Sequence, residues 1–374
     1  MKFIDCEYSE FVNKVKNRIV ILFGVSSGWD YYFSVLPTID RDVLNNVSFV
    51  VDNDKDKHDK ECKIAGYSFP IKKPDVLREY KDVVVLITVR FKYCEKICEQ
   101  LLSYEMPDEV ECYSIQLLYS TKKEIDNSCV DKYFIDNTKV CIPKRIHSFW
   151  FSGEDKPDTY KKCIESWYKY CPDYEICEWN SHNYDIEKNI YMRQAFEKRK
   201  WAFVSDYARL DVVYTYGGIY LDMDVELMAS IDFLRCAKGF FCRQSDGSVD
   251  LGSGFGAVQK SSFIKKLLNE YDELEFYNEK GEMNLLPQPA RLGHVFYEHG
   301  LGVGHQSEIM DDMIVLSDSF ICCACGKEWQ LTGKEVGVHW HNGGWLSKNE
   351  KEEMVINSQY RQKIKSLYFK KDMV

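Results

Sequence analysis

The sequence predicts an α/β fold in two successive domains, and three observations predict it. Short apolar runs without polar alternation recur along the chain, segments of helical period separate them, and a polar stretch divides the series in two. At 374 residues the chain exceeds one average domain. Its 45% hydrophobic and 29% charged residues match a soluble globular protein with a sizeable core.

Ile19–Phe23, Val47–Val51 and Val83–Thr88 read as buried parallel strands, and Phe91–Ser103 carries helical periodicity. This alternation predicts a small doubly wound sheet over roughly residues 17–115, within a first domain at 1–118. Gly24-Val25-Ser26-Ser27-Gly28 follows the first strand and Asp52 ends the second. That is part of the pattern by which glycines admit a dinucleotide pyrophosphate, but the full G-x-G-x-x-G is absent. A turn at the strand end is the alternative reading. The region resembles the Rossmann-like modules joined to bacterial sugar-processing enzymes.

Residues 119–139 are polar and mixed, and a linker is expected there. A second alternation follows over 140–350. Lys144–Phe151 reads as a strand, Pro157–Tyr170 as a helix with proline near its first turn, and Tyr174–Trp179 as a strand. Lys200–Tyr216 reads as a long amphipathic helix ending at Gly217-Gly218, and Ile219–Leu221 as a short strand running into Asp222. The tail at 351–374 interleaves Arg361, Lys363, Lys365, Lys370 and Lys371 with Ile364, Leu367, Tyr368 and Phe369. Such a basic amphipathic segment either lies on an anionic membrane surface or docks as a terminal helix with its basic face in water.

A net charge of −10 argues against nucleic-acid binding, which needs a basic surface. It is compatible with a nucleotide ligand, because a bound cation can supply the local positive charge. No run of about eighteen apolar residues occurs. Asp5, Glu7, Glu10, Lys14, Lys16 and Arg18 interrupt the apolar core a secretory leader needs, so a cytoplasmic protein is expected. The fifteen cysteines are odd in number and scattered, which predicts small buried residues in a reducing compartment.

Gly217-Gly218-Ile219-Tyr220-Leu221-Asp222-Met223-Asp224 delivers two carboxylates to the C-terminal edge of a strand. Ligands of open α/β sheets bind at that edge. Carboxylates one residue apart can share a hard cation such as Mn²⁺ or Mg²⁺, and such a cation can grip a departing diphosphate. A solvated acidic turn is the competing reading, and the apolar flanks disfavour it. Upstream, Asp206 and Arg209 lie at i and i+3 on one helix face, as an intrahelical ion pair or as a pair facing the same pocket. Cys322, Cys325, His339 and His341 hint at a zinc site, but one residue between the histidines is too few, and buried cysteines on a strand are expected.

The run A-F-V-S-D-Y-A-R-L-D-V-V-Y-T-Y-G-G-I-Y-L-D-M-D-V-E-L closely resembles the signature of the DXD-type sugar-binding-region glycosyltransferases, family 32. That group includes fungal mannosyltransferases and bacterial capsule enzymes, and the clostridial glucosylating toxins share a related signature. I-P-K-R-I-H-S-F-W-F-S-G at 142–153 resembles the first strand of that family and V-H-W-H-N-G-G-W at 338–345 its closing motif. The resemblance implies a GT-A-type domain after the Rossmann-like one, retention of anomeric configuration and a Mn²⁺ or Mg²⁺ cofactor. It implies a nucleotide-sugar donor, with a UDP-hexose favoured, and a carbohydrate or lipid-linked glycan acceptor in capsular or cell-surface polysaccharide synthesis.

Residue by residue, the resemblance implies that Trp150 stacks on the nucleotide base and that Asp206 and Arg209 hold donor hydroxyls, Arg209 also lying near the diphosphate. Asp222 would support the metal and ribose, Asp224 would ligate the metal directly, and His339 would be a third ligand. Asn342 and the Trp345 indole would reach the phosphates. Trp150 as a core residue and Trp345 as a lid residue are the alternatives. Gly344 stands where the family usually has serine before the tryptophan, which removes one hydroxyl from the closing loop. Two other classes of function stay open: a nucleotide-binding protein acting through residues 17–115, and a non-catalytic carbohydrate-binding scaffold.

Overall fold

The computed structural model describes residues 1–25, 43–64, 66–120, 125–137, 139–278, 280–324, 335–342 and 348–369. They form two units, one of residues 1–123 with 347–374 and one of residues 124–346.

The first unit is built on a seven-stranded sheet of β1 (Lys2–Phe3), β2 (Val20–Phe23), β3 (Val47–Val51), β4 (Glu61–Ile64), β5 (Tyr67–Lys72), β6 (Val84–Ile87) and β7 (Glu111–Ser114). Its order is β1-β7-β6-β2-β3-β5-β4, and only the β4–β5 pairing is antiparallel. β2 and β6 are buried along their whole length, which explains their unbroken apolar runs. Asp52, at the end of β3, accepts the Val25 N–H at 2.7 Å and the Asp54 N–H at 2.8 Å, and Lys57 lies 3.2 Å away. Its carboxylate therefore ties down its own strand ends. Ser26, Ser27 and Gly28 lie outside the described residues.

The tail does not stand apart as a segment at 351–374. The helix Lys348–Leu367 belongs to the first unit, and Ile364 and Phe369 sit in the core with Phe91, Ile97 and Leu101. Lys363 pairs with Glu95 at 2.8 Å and Lys365 with Asp5 at 2.9 Å. Ile364 and Phe369 are thus covered by protein, whereas Leu367 is exposed. No helix among the described residues is long and apolar enough to cross a membrane.

The second unit opens inside the expected linker. Ser128–Asp136 is a helix, with Val130 buried against Ile142 and Ile146. Tyr133 and Phe134 pack against the same core, but the helix is short and set among polar residues, which is why the 119–139 boundary misplaces it.

A second seven-stranded sheet comprises β8 (Arg145–Phe149), β9 (Glu175–Trp179), β10 (Gly218–Tyr220), β12 (Gly239–Cys242), β13 (Phe255–Ala257), β14 (Glu308–Met310) and β15 (Met313–Leu316), in the order β14-β15-β12-β13-β10-β8-β9. A three-stranded sheet joins β11 (Val225–Leu227), β17 (Gly337–His339) and β16 (Ile321–Cys323). The helix Trp201–Tyr216 is buried nearly all round rather than amphipathic: Phe203, Val204, Asp206, Ala208, Arg209, Leu210, Val212 and Val213 are all covered. It ends at Gly217, whose φ of 64° is the left-handed conformation glycine accepts readily. Among the described cysteines no disulfide forms, and Cys94, Cys98 and Cys112 lie together in the first core.

His147 on β8 locks this corner. Its Nε2 lies 2.9 Å from the Gly217 carbonyl, and its Nδ1 accepts the Trp179 indole N–H at 3.1 Å. One nitrogen donating and the other accepting is the neutral imidazole. Burial holds its pKa down, from 6.5 to about 4. Between those pH values the unfolded chain binds a proton that the folded protein refuses, so stability present above the unfolded value is lost as pH falls through the folded one. Chemical denaturation should show a loss of about 3 kcal/mol from this group over that range. The decline should be shallower in His147→Gln; an equal slope in both proteins contradicts the assignment.

Candidate metal centre

The site grows from the end of β10. This strand pairs parallel to β8, with Tyr220 opposite His147, and antiparallel to β13, with Tyr220 opposite Phe255. Flanked on both sides, it must release its chain at a fixed point. The chain then turns, the Val225 N–H reaching the Asp222 carbonyl at 3.0 Å. Met223 is buried in the core between the two acids, so Asp222 and Asp224 project from a turn whose centre is anchored.

β11 begins immediately after and pairs with β17, placing Val225 opposite His339. Trp167 of the helix Asp158–Tyr170 clamps β11 by donating its indole N–H to the Val225 carbonyl at 2.8 Å. The Trp340 N–H donates to the Asp224 carbonyl at 3.0 Å. This register carries the His339 imidazole to the DXD turn, with Nε2 3.2 Å from Asp224 Oδ1 and 3.9 Å from Asp222 Oδ2. Asp222, Asp224 and His339 offer ligand atoms all within 4.8 Å of one another. Two carboxylates and an imidazole suit a divalent cation of the manganese type.

The charge balance is set by neighbours. Burial would raise the Asp224 carboxyl, but His339 and the Asn342 backbone N–H, at 2.9 Å, hold it below the usual range. Burial disfavours a charged His339, yet Asp224 and Asp250 together raise its pKa well above 6.5. Asp222 Oδ1 accepts the Tyr220 hydroxyl at 2.5 Å, and burial keeps that phenol protonated.

Arg209 lies behind the carboxylates. Its side chain is 6% exposed, 3.4 Å from Asp206 and 3.7 Å from Asp222, and it donates to the Ser205 carbonyl and hydroxyl. The pair is therefore both an intrahelical contact and a link to the DXD turn. Burial pushes the Asp206 carboxyl up to about 6, against the pull of Arg209.

Trp150 is half-buried just past β8, its indole donating to the Glu154 carbonyl at 2.6 Å and its ring edge-on to Tyr160. Asn342 meets the centre through its backbone N–H, and its side chain is exposed. Gly344 and Trp345 lie outside the described residues, as does Cys325. Cys322 lies on β16, and the clusters able to hold a metal among the described residues contain no cysteine.

Sequence reasoning missed Asp250, Gly252, Ser253, Tyr220 and Gln288. Gln288 opens a buried helix (Gln288–Glu298) and donates to the Asp206 carbonyl at 2.7 Å. The Asp250 run D-L-G-S offers only turn chemistry in sequence. Burial disfavours the charged form of Asp250, but His339 and Ser253 hold its carboxyl well below the usual range.

The chain is similar to known glycosyltransferases. Residues 157–240 match a family model described as a glycosyltransferase sugar-binding region containing a DXD motif. The chain is 20% identical over 225 residues to inositol phosphoceramide mannosyltransferase 1 of Schizosaccharomyces pombe, covering 56% of this chain and 67% of that protein. It is 26% identical over 140 residues to mannosyl phosphorylinositol ceramide synthase SUR1 of Saccharomyces cerevisiae, covering 36% of each. The solved structure of the PaToxG glycosyltransferase aligns at a TM-score of 0.35 and 15% identity, over 56% of this chain and 78% of that one.

Gly252 provides a test of the turn. A Cβ there would fall 2.5 Å from Asp222 Oδ2, while the Gly252 carbonyl accepts the Asp222 N–H at 3.1 Å. Gly252→Ala should displace the carboxylate, weakening Mn²⁺ binding by about tenfold while costing under about 1 kcal/mol of stability. Calorimetric titration beside a thermal melt reads both; unchanged Mn²⁺ affinity contradicts the geometry.

Proposed function

With a DXD-type glycosyltransferase region at 157–240, the protein is a glycosyltransferase, and we propose that it is metal-dependent and moves a hexose from a nucleotide sugar to a glycan acceptor with retention of configuration. The convergence of Asp222, Asp224 and His339 within 4.8 Å at a strand end is the observation that carries this reading. A donor set of two carboxylates and one imidazole fits Mn²⁺ or Mg²⁺, which when bound would neutralise charge on the leaving diphosphate.

The side chains around that centre divide the remaining work. Asp206 and Arg209 hold hydroxyls of the donor, and Arg209 adds positive charge on the diphosphate side. Trp150 offers a ring face to the base. The acceptor hydroxyl attacks the anomeric carbon from the side the diphosphate leaves, so the new C–O bond forms as the sugar–phosphate bond breaks. The acceptor proton passes to a departing phosphate oxygen, and no enzyme nucleophile is required. A UDP-hexose donor and a cell-surface or capsular glycan, made on the cytoplasmic side, form the first version of this proposal. The fungal relative named as an inositol phosphoceramide mannosyltransferase favours a second, with a mannosyl donor and a lipid-linked acceptor.

A panel of UDP- and GDP-linked hexoses with Mn²⁺, followed by release of nucleoside diphosphate, separates the two versions. One donor should be hydrolysed in preference to the others. The Asp222→Asn/Asp224→Asn variant should lose at least about a hundredfold in turnover while still unfolding cooperatively, at a melting temperature lowered by the lost Asp224–His339 pair. Full activity in that variant, or in chelator, contradicts the proposal.

A further inference from the structure

Asp250, His339 and His341 also bring ligand atoms within 4.8 Å of one another, on the far side of His339 from the DXD turn. The hydrogen bonds around Asp250 decide between a second cation site and a support for the first. Its Oδ1 accepts the Gly252 N–H at 3.0 Å. Its Oδ2 accepts the Ser253 N–H at 3.0 Å and the Ser253 hydroxyl at 2.7 Å, and lies 3.4 Å from His339 Nδ1. A carboxylate with both oxygens engaged by its own loop has little capacity left for a cation.

The Ser253 hydroxyl has one proton, and the acceptor-only Asp250 carboxylate takes it. Its oxygen then faces His339 Nδ1 at 2.9 Å with a lone pair. Nδ1 must carry the hydrogen of that contact, which leaves Nε2 as the ligating nitrogen, on the side of Asp224 and Asp222. Ser253 is fully buried, and β13 starts two residues later, paired to β10. The loop that orients His339 is therefore rigidly connected to the strand that releases Asp222.

We infer that Asp250 and Ser253 are positioning residues that act through His339, a carboxylate–hydroxyl–imidazole relay that aims Nε2 at the cation. The inference rests on the metal-dependent reading above and extends it to two residues beyond the ligands. Partners of this kind typically change metal affinity by about 10–100-fold.

Titration of the full-length protein with Mn²⁺, followed by electron paramagnetic resonance, tests the relay. Ser253→Ala and Asp250→Asn should each weaken Mn²⁺ binding by about 10–100-fold. The nitrogen modulation that reports imidazole coordination should fade at saturating Mn²⁺ in both variants. Asp222→Asn should weaken binding yet keep that modulation, which separates loss of a ligand from loss of histidine orientation. Wild-type affinity and modulation in folded Ser253→Ala and Asp250→Asn overturn the relay alone. Failure of the wild-type protein to bind Mn²⁺ overturns the cation site and the relay with it.

Discussion

The pairing of β11 with β17 is the constraint on which the centre depends. Asp222 and Asp224 are fixed locally by a short turn around a buried methionine, but His339 arrives from a distant part of the chain. Only the register that sets Val225 opposite His339 brings its Nε2 within 3.2 Å of Asp224. A strand slip of one residue would turn the imidazole to the opposite face of the small sheet. Trp167 and Ser166 hold β11 against such a slip, through the Val225 carbonyl and the Leu227 N–H respectively.

Around that pairing, charge is gathered where burial penalises it. Asp206, Arg209, Asp224 and His339 are buried and Asp250 is largely so, an arrangement that survives only because each charge meets another or a backbone donor. Arg209 offsets Asp206 and Asp222, and His339 offsets Asp224 and Asp250. His339 thus holds Asp224 and Asp250 ionised before any ligand arrives. Preorganised charge of this kind is what the departure of a diphosphate needs.

Much of this was legible in the sequence, for physical reasons. The buried strands β2, β3 and β6 announce themselves because strands covered on both faces carry no polar alternation. Gly217-Gly218 and the D-M-D run are local features, so their place at the end of β10 could be read directly. Asp250 and Ser253 could not, because their role exists only when the β10–β13 and β11–β17 pairings fold them toward His339. The helix Ser128–Asp136 was read as linker because its apolar set, Val130, Tyr133 and Phe134, spans little more than one turn within a polar stretch. The helix Trp201–Tyr216 was read as amphipathic because a buried ion pair imitates a polar face. The terminal helix left two readings open, and Ile364 and Phe369 in the first core show that it docks.

The central claim is that one divalent cation sits between Asp222, Asp224 and His339. Anomalous diffraction from crystals grown with Mn²⁺ and a nucleoside diphosphate tests it most directly. The account predicts a single strong manganese peak bounded by those three side chains, with the diphosphate on its open side. A peak bounded instead by Asp250 and His341, or a diphosphate bound with no manganese beside it, would contradict it.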